Sequence, residues 1–287
     1  MNNKPASTPR ASEIQLEVLT AKPSGPDRHP TPLLLVHGAF SSARIWAPFF
    51  LPYFAEHGYE AYAVSLRGHG GSGGRDQLAG VRLDDYVEDV ARVAQGLSAP
   101  PIIVGTSMGG VVAQKYIERF PATGAVLMAS GPPHGMLMGL WLMMLTNPRL
   151  IVDMTLMQWL GPASATVASA RRALFRPDTP AEYIRRCLPM AEPESPMVAL
   201  DLLGLGLPSS IRKIDVPVLV LGAERDAFIS QGAVRTTASR YGTRAEIFPG
   251  MPHAMMLDPD WRQVAERIDT WAKSLANDPS ALPRCAA

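Results

Sequence analysis

The chain has 287 residues, of which 47% are hydrophobic, so it can bury a large core and a disordered class is excluded. Its 27 basic and 26 acidic residues leave a formal net charge of +1, which gives no electrostatic basis for binding nucleic acid or an anionic membrane. The two cysteines, Cys187 and Cys285, have no metal or redox spacing and favour a reducing compartment. Because the polar first residues lack the apolar core of a signal peptide, we expect a soluble cytoplasmic protein.

The apolar pattern changes after the first predicted strand. Residues 14–19, IQLEVL, alternate apolar and polar side chains, as expected for an edge strand with one face in water. The later predicted strands are short continuous apolar runs, which are typical of parallel strands covered by helices on both faces. They read PLLLVHG, YEAYAVSL, PIIVG, GAVLMAS and VPVLVLG.

Helical patterns alternate with these strands. They cover residues 46–57, 84–97, 108–120 and 231–241, and a last segment runs from residue 259 through 271. Strands and helices that alternate in this way predict an α/β fold with a mostly parallel, doubly wound sheet.

The alternation stops between about residues 132 and 208, where the sequence is helix-like and rich in Met, Leu and Pro. We therefore predict a helical cap at 132–208, inserted between two parts of an α/β core at 1–131 and 209–287. The apolar segment 135–160 is interrupted by Asn147, Pro148, Arg149 and Asp153. Since no uncharged stretch reaches the roughly 20 residues of a membrane span, we expect two short buried helices there.

Two serines lie between glycines, and their contexts differ. Ser107 follows the strand IIVG and precedes the helical MGGVVAQKYIERF, whereas Ser72, in GHGGSGG, is followed by loop until about residue 84. A sharp strand-to-helix turn exposes a hydroxyl and directs the first free N–H groups of the helix towards a bound carbonyl. We predict Ser107 as a nucleophile and Ser72 as a flexible loop residue. Gly68, Gly70 and Gly73 also match G-x-G-x-x-G, but the helix that a dinucleotide site requires does not follow.

A serine nucleophile needs a base and an orienting acid. Of the six histidines, His253 has the best position, in the loop FPGMPHAMMLDP between the last predicted strand and the last helix. Asp226 follows the strand VPVLVLG and is the favoured acid, with Glu224 as its rival. All three groups would then meet at the carboxyl edge of the sheet.

The strand PLLLVHG ends in His37, Gly38 and Ala39. The backbone N–H groups of Ala39 and Met108 would form a two-donor oxyanion hole, although an ordinary strand-to-helix loop would look similar. We expect His37 and Phe40 to border the substrate site, with a turn role as the alternative for His37.

The segments HGAF, GTSMGG, GAERD and MPHAMMLD stand in the order found in the α/β-hydrolase superfamily, which the chain resembles from about residue 33 to 271 except in the cap. The resemblance is to the capped branch of small esterases, lactonases and cofactor-free perhydrolases or haloperoxidases. SLRGHGGSG also resembles a loop of that branch, although Ser65 stands where aspartate is usual. The resemblance implies an acyl-enzyme mechanism with the triad Ser107, Asp226 and His253, and with no metal or organic cofactor.

The cap is expected to set the substrate preference. Methionine adapts its shape to flexible apolar groups, so we predict that some apolar cap residues line the site, although many could only pack the cap onto the core. The predicted lining residues are Met136, Leu140, Trp141, Met144 and Trp159. Four cap arginines, at 171, 172, 185 and 186, could bind a carboxylate but fit a solvated helix face better.

These residues favour a hydrophobic small-molecule ester or lactone as the partner of a monomer or homodimer. The same triad would serve a lactonase, a thioesterase or a perhydrolase. A non-enzymatic small-molecule receptor with the same fold is the alternative.

Overall fold

The computed structural model describes residues 14–26, 28–205, 207 and 214–277. The polar N-terminal residues and Cys285, used above to predict the compartment, lie outside the described residues, as does the predicted cap boundary at residue 208. A seven-stranded sheet of order β1-β3-β2-β4-β5-β6-β7 crosses the molecule. Its strands are β1 Val18–Ala21, β2 Leu33–Val36, β3 Ala61–Val64, β4 Ile102–Thr106, β5 Gly124–Met128, β6 Val218–Ala223 and β7 Ala245–Phe248.

Only β1, at one edge, runs antiparallel to its neighbour; every other strand pair is parallel. The predicted mostly parallel α/β fold is confirmed. The first strand begins four residues later than the alternating segment 14–19 indicated. Parallel strands place their carboxyl ends at one edge of the sheet, where ligands bind in open α/β folds.

The continuous apolar runs follow from burial on both faces of the sheet. Along β2, Leu33 and Leu35 belong to one core cluster, whereas Leu34 and Val36 belong to the other. Because side chains alternate across a strand, every position in such a strand must be apolar.

Helices cover both faces. The first face is covered by α1, Phe50–Glu56, and α10, Trp261–Asn277; the second by α2, Leu83–Gln95, α3, Met108–Ile117, and α9, Gln231–Arg240. Each of these helices begins and ends within six residues of the bounds predicted from the sequence, and α10 extends furthest beyond its prediction.

The described residues between β5 and β6 form helices without a strand. The helices are α4 Leu137–Thr146, α5 Pro148–Leu160, α6 Val167–Leu174, α7 Ala181–Cys187 and α8 Pro196–Leu200, joined by short 3₁₀ turns and followed by a π-type turn at Asp201–Leu205. They fall within the range 132–208 predicted for a cap. That they form a cap stays a prediction, and we use the name below for these helices.

The expectation that the segment 135–160 forms two buried helices is wrong in one respect. It does form two short helices, α4 and α5, but most of their large apolar side chains are exposed. Met143 and Leu150 are buried, whereas Leu137, Leu145 and Leu160 are not. Apolar residues are spread around α4, and α5 also carries Arg149, Asp153 and Gln158, so neither helix has a single apolar face to turn inwards. Within the described residues, no helix is long and apolar enough to cross a membrane.

The cap is attached to the loop that follows β7. The N–H of Ala254 donates to the carbonyl of Leu174 (3.1 Å). The Tyr183 hydroxyl donates to the carbonyl of Leu257 (2.7 Å). The last residue of α6 and a residue of α7 therefore hold the loop in which His253 lies.

Candidate active site

Ser107 is the single residue between β4 and α3. Its backbone has φ 53° and ψ −119°, a conformation that residues other than glycine rarely adopt and that typically costs about 1–3 kcal/mol. The N–H of Ser107 donates to the carbonyl of Met128 on β5 (3.0 Å), which holds the turn. The side chain is half-buried at the carboxyl edge of the sheet, so its hydroxyl is presented where a ligand could approach.

The glycines around Ser107 are required by close packing. A Cβ on Gly105 would lie 2.2 Å from the carbonyl oxygen of Gly109, and a Cβ on Gly109 would lie 2.4 Å from the carbonyl oxygens of Val36 and His37. Both obstacles are backbone and cannot rotate away. The helix therefore starts directly against β2 and β4, which makes the turn at Ser107 sharp.

Asp226 and His253 are joined by a hydrogen bond at the same edge. Nδ1 of His253 lies 2.8 Å from Oδ2 of Asp226, and Oδ1 accepts the N–H groups of Phe228 (2.8 Å) and Ile229 (2.9 Å). A carboxylate only accepts, so Nδ1 carries the hydrogen and Nε2 is left as the acceptor. The rival acid Glu224 is exposed and accepts from the N–H of Gly250 instead.

The sheet order explains why these residues converge. Ser107 follows β4, Asp226 follows β6 and His253 follows β7, and one strand separates β4 from β6. Neighbouring strands are about 5 Å apart, so the loops after β6 and β7 bridge the remaining distance. Among the described residues, Ser107 Oγ makes no hydrogen bond to His253; such catalytic contacts often form only with substrate bound.

The loop after β2 lies directly against Ser107. A Cβ on Gly38 would be 3.0 Å from Cβ of Ser107 and 3.6 Å from its Oγ. The N–H of Met108 opens α3 and has no acceptor within the helix. In the described part of the chain, neither this N–H nor that of Ala39 donates a hydrogen bond. Both donors predicted for the oxyanion hole are thus unengaged beside the serine.

His37 supports this loop from behind rather than bordering an open site. Its side chain is fully buried. Nε2 accepts the N–H of Leu66 (3.0 Å), so Nδ1 carries the hydrogen and donates to the carbonyl of Gly38 (2.8 Å). Burial, and then the charge of His69, lower the pKa of His37 to about 3, so it is neutral. Of the two interpretations of His37, the structure favours the turn residue.

This bond also orients the predicted oxyanion donor. Gly38 and Ala39 share one trans peptide, in which the C=O and the N–H point in opposite directions. Because His37 holds the Gly38 oxygen, the Ala39 N–H is directed away from His37.

Of the predicted lining residues, Met136 has the clearest place in a cavity. A cavity of about 330 Å³ lies between α4 and the loop after β6, and Met136, Met143, Asp226 and Phe228 are among the residues that line it. Leu140 is half-buried on the inner side of α4. Ser107 and His253 are not among the lining residues, so this cavity borders the acid side of the site.

The structure does not place Trp141, Met144 and Trp159 in a pocket. Their side chains are 57%, 46% and 77% exposed. Since the apolar residues of α4 and α5 are not gathered on one face, sequence alone does not indicate which face turns towards the core. The cap arginines are paired within the cap, as Arg172 with Asp153 (2.8 Å) and Arg185 with Glu182 (3.1 Å) illustrate.

Three hydrogen bonds that the sequence did not indicate join Ser72, Ser65 and Glu17. Ser72, expected to be flexible, is buried; its hydroxyl donates to the carbonyl of Ser65 and accepts the N–H of Glu17 (2.8 Å). The Ser65 hydroxyl in turn donates to the carboxylate of Glu17 (2.6 Å). A carboxylate is therefore present at the position where the resembled branch usually has aspartate, but it comes from the N-terminal segment.

Comparison with known proteins decides the family. The profile of the alpha/beta hydrolase family matches residues 33–267. The chain belongs to the α/β-hydrolase family. It is 27% identical over 235 residues to a monoacylglycerol lipase of Mycolicibacterium smegmatis, and the alignment covers 77% of this chain and 80% of that protein.

Solved structures of other α/β hydrolases have the same fold. An esterase from Rhodococcus sp. ECU1013 aligns with a TM-score of 0.67 at 22% identity, covering 92% of this chain and 96% of that one. A monoacylglycerol lipase from Paleococcus ferrophilus aligns with a TM-score of 0.65 at 16% identity, covering 91% and 99%. The predicted family and fold are confirmed, and these proteins are of the enzyme class that the sequence predicts for this α/β hydrolase.

Proposed function

We propose that this protein is a carboxylic ester hydrolase that cleaves esters of hydrophobic small molecules through an acyl-enzyme on Ser107. The observation that carries the proposal is the coincidence of two features at one sheet edge: the strained turn at Ser107 and the buried hydrogen bond between Asp226 and His253. The first would expose a nucleophile, and the second would supply an oriented base.

In the proposed reaction, Ser107 Oγ attacks the ester carbonyl and its proton passes to Nε2 of His253. Asp226 holds His253 in the tautomer that can accept this proton and stabilises the imidazolium that results. His253 then gives the proton to the leaving alcohol. Water, deprotonated by His253, then attacks the acyl carbonyl. The bond to Ser107 Oγ breaks, His253 returns the proton to Oγ, and the carboxylic acid leaves.

The developing oxyanion would be bound by the N–H groups of Ala39 and Met108. The positive end of the α3 dipole adds to this attraction. A donor of this kind typically contributes about 3 kcal/mol to stabilisation of the transition state. His37 would serve the hole indirectly, because it fixes the peptide that carries the Ala39 N–H.

An ester with an extended apolar chain fits the cap best. Met136 and Met143 line the cavity next to Asp226, and methionine accommodates flexible chains. The similarity to a monoacylglycerol lipase supports the same class. A monoacylglycerol is therefore the first natural substrate to test, and the proposed chemistry requires only protein groups and water.

The test is hydrolysis of p-nitrophenyl esters from acetate to palmitate and of a monoacylglycerol. We expect turnover by the wild type, a preference for longer chains, and loss of activity in Ser107→Ala. Labelling with a fluorophosphonate followed by peptide mapping should place the adduct on Ser107 and not on Ser72.

An adduct on Ser72, or full activity in Ser107→Ala, would contradict the proposal. Cleavage of lactones or thioesters but not of esters would retain the triad and change the substrate class. Faster oxidation of an added oxidisable compound when hydrogen peroxide is present would indicate a perhydrolase. Tight binding of an ester or lactone without turnover would indicate a receptor.

A further inference from the structure

A segment of the cap is bonded to the backbone of the candidate oxyanion loop. The N–H of Glu192 donates to the carbonyl of Phe40 (2.9 Å), and the N–H of Phe40 donates to Oε2 of Glu194 (3.4 Å). Phe40 directly follows Ala39 and has a φ of 58°, in the left-handed region. Both polar backbone groups of this strained residue are therefore held from the cap.

The Glu194 carboxylate is enclosed by donors. Its side chain is 2% exposed. Oε1 accepts the Tyr86 hydroxyl (2.6 Å) and the N–H of Ser195 (2.7 Å). Oε2 faces the N–H of Phe40 and, at 3.3 Å, Nε2 of His69. Four donors from four different places in the chain thus converge on one carboxylate that the cap supplies.

The hydrogen-bond pattern makes His69 the cationic partner. Its Nδ1 lies 3.0 Å from the carbonyl of Arg67, which can only accept, so Nδ1 carries a hydrogen. Nε2 then needs a second proton to face a carboxylate oxygen. Although burial disfavours the charge, the contact with Glu194 outweighs it and raises the pKa of His69. The Nε2 contact is close enough for an ion pair but is not aligned as a hydrogen bond.

His69 also contacts the other side of the oxyanion loop, through His37. Its ring packs against the ring of His37, with 5.1 Å between the centroids. His37 holds the carbonyl of Gly38, and that peptide carries the N–H of Ala39. Glu194 therefore acts on the candidate donor from both directions, through Phe40 and through His69.

We propose that Glu194 is a positioning residue for the oxyanion hole: its buried carboxylate, supplied by the cap, keeps the N–H of Ala39 directed at the reacting carbonyl. The inference rests on the proposed ester hydrolysis. Stability alone is a weak reason for such an arrangement, because replacing a buried ion pair by apolar residues is often neutral or stabilising. The direction of the Ala39 N–H, by contrast, depends on each of these contacts.

The test is Glu194→Gln, assayed for kcat, KM and inhibitor binding. A glutamine offers one oxygen to four donors and no charge to His69, so the loop should lose its fixed position. We expect kcat for a p-nitrophenyl ester to fall about tenfold or more, which is less than complete removal of an oxyanion donor costs. KM should stay within about twofold, because the hole acts mainly on the transition state.

A trifluoromethyl ketone separates positioning from folding. Ser107 Oγ adds to its carbonyl carbon, the serine proton moves to His253, and the ketone oxygen becomes an oxyanion. The affinity of the ketone should fall in parallel with kcat in Glu194→Gln. The affinity of the alcohol that is released from the substrate ester should not change.

The matched control is Glu182→Gln. Glu182 is also an acidic residue of the cap, but its carboxylate is exposed and pairs with Arg185 (3.1 Å) and Arg186 (3.5 Å). This variant should keep wild-type kcat and ketone affinity. If Glu194→Gln does not fold, Tyr86→Phe, which removes one donor to Oε1, should show a smaller loss in kcat with the same unchanged KM.

The outcomes distinguish the two proposals. A folded Glu194→Gln or Tyr86→Phe with wild-type kcat and ketone affinity overturns the role of Glu194 and leaves the ester hydrolase intact. A wild type that neither hydrolyses esters nor binds the ketone overturns both.

Discussion

Asp226 faces His253 with both carboxylate oxygens: Oδ1 lies 2.9 Å and Oδ2 2.8 Å from Nδ1, and Oδ1 also accepts the N–H groups of Phe228 and Ile229. The backbone bonds prevent the carboxylate from rotating. As a result, the side chain is held in one orientation before any substrate arrives.

Asp226→Asn should therefore invert the tautomer of His253. Because Oδ1 must keep accepting the two N–H groups, the new NH₂ would occupy the Oδ2 position and donate to Nδ1. The proton would move to Nε2, which could then no longer accept from Ser107. We expect kcat to fall about 10³–10⁴-fold with the fold intact. Glu224→Gln, at the exposed neighbouring acid, should retain kcat, and an equal loss in both variants would contradict the assignment.

Gly105→Ala should destabilise the protein strongly. The new Cβ would lie 2.2 Å from the carbonyl oxygen of Gly109, and this backbone atom can move only if α3 shifts. Overpacking of this kind typically costs about 1–3 kcal/mol. Urea unfolding measures the loss. Gly232→Ala, in α9, would place its Cβ in ordinary contact with Ser230 Oγ (3.7 Å) and should be neutral or stabilising. Similar midpoints for the two variants would show that the turn is not tightly packed.

Acid should destabilise the fold through His37. Burial holds its pKa at about 3 in the folded state, whereas an unfolded histidine titrates near 6.5. Between these values the unfolded chain binds a proton that the folded chain does not. The free energy of unfolding should therefore fall by up to about 1.4 kcal/mol per pH unit below pH 6.5.

Urea unfolding between pH 7 and pH 5 measures this slope. His37→Gln should be less stable at neutral pH and show a shallower slope, whereas exposed His57→Gln should retain the wild-type slope. His69 acts with the opposite sign: its raised folded-state pKa stabilises below about pH 6.5, and this contribution is lost as the pH rises through the folded value. A wild-type slope in His37→Gln would show that other groups cause the acid sensitivity.

The two faces of α4 should respond differently to truncation. Met143 is 5% exposed, so Met143→Ala should cost about 2–3 kcal/mol by leaving a cavity. Leu145, two residues away, is 68% exposed, and Leu145→Ala should change stability by less than about 0.5 kcal/mol. Thermal unfolding of the two variants checks the orientation of the helix, and a larger loss in Leu145→Ala would reverse it.

The elements that sequence reasoning placed well are those with a strong local reason. Strands such as β4 must be apolar throughout because both faces are buried, and that run is visible in the sequence. The turn at Ser107 is recognisable because Gly105 and Gly109 are required by backbone packing only a few residues away. Family membership followed from these same segments.

The features that were missed depend on contacts between distant parts of the chain. Phe40 and Glu194 are 154 residues apart, and an acidic residue in a cap looks like a surface residue when read alone. His37 stands beside the site in sequence but turns its ring into the core. In α4 and α5 the apolar residues are not gathered on one face, so the exposure of Trp141 and Trp159 could not be inferred.

The attachment of the cap also has a consequence for exchanging it between relatives. One cap segment bonds the loop that bears His253, through Leu174 and Tyr183, and another bonds the backbone of Phe40, through Glu192 and Glu194. These cap segments therefore form part of the scaffold of the candidate site. A chimera that carries the cap of another hydrolase would lose both anchor points, unless the partners on the core were transplanted with it. An exchange of the cap would thus also change the geometry of the candidate site.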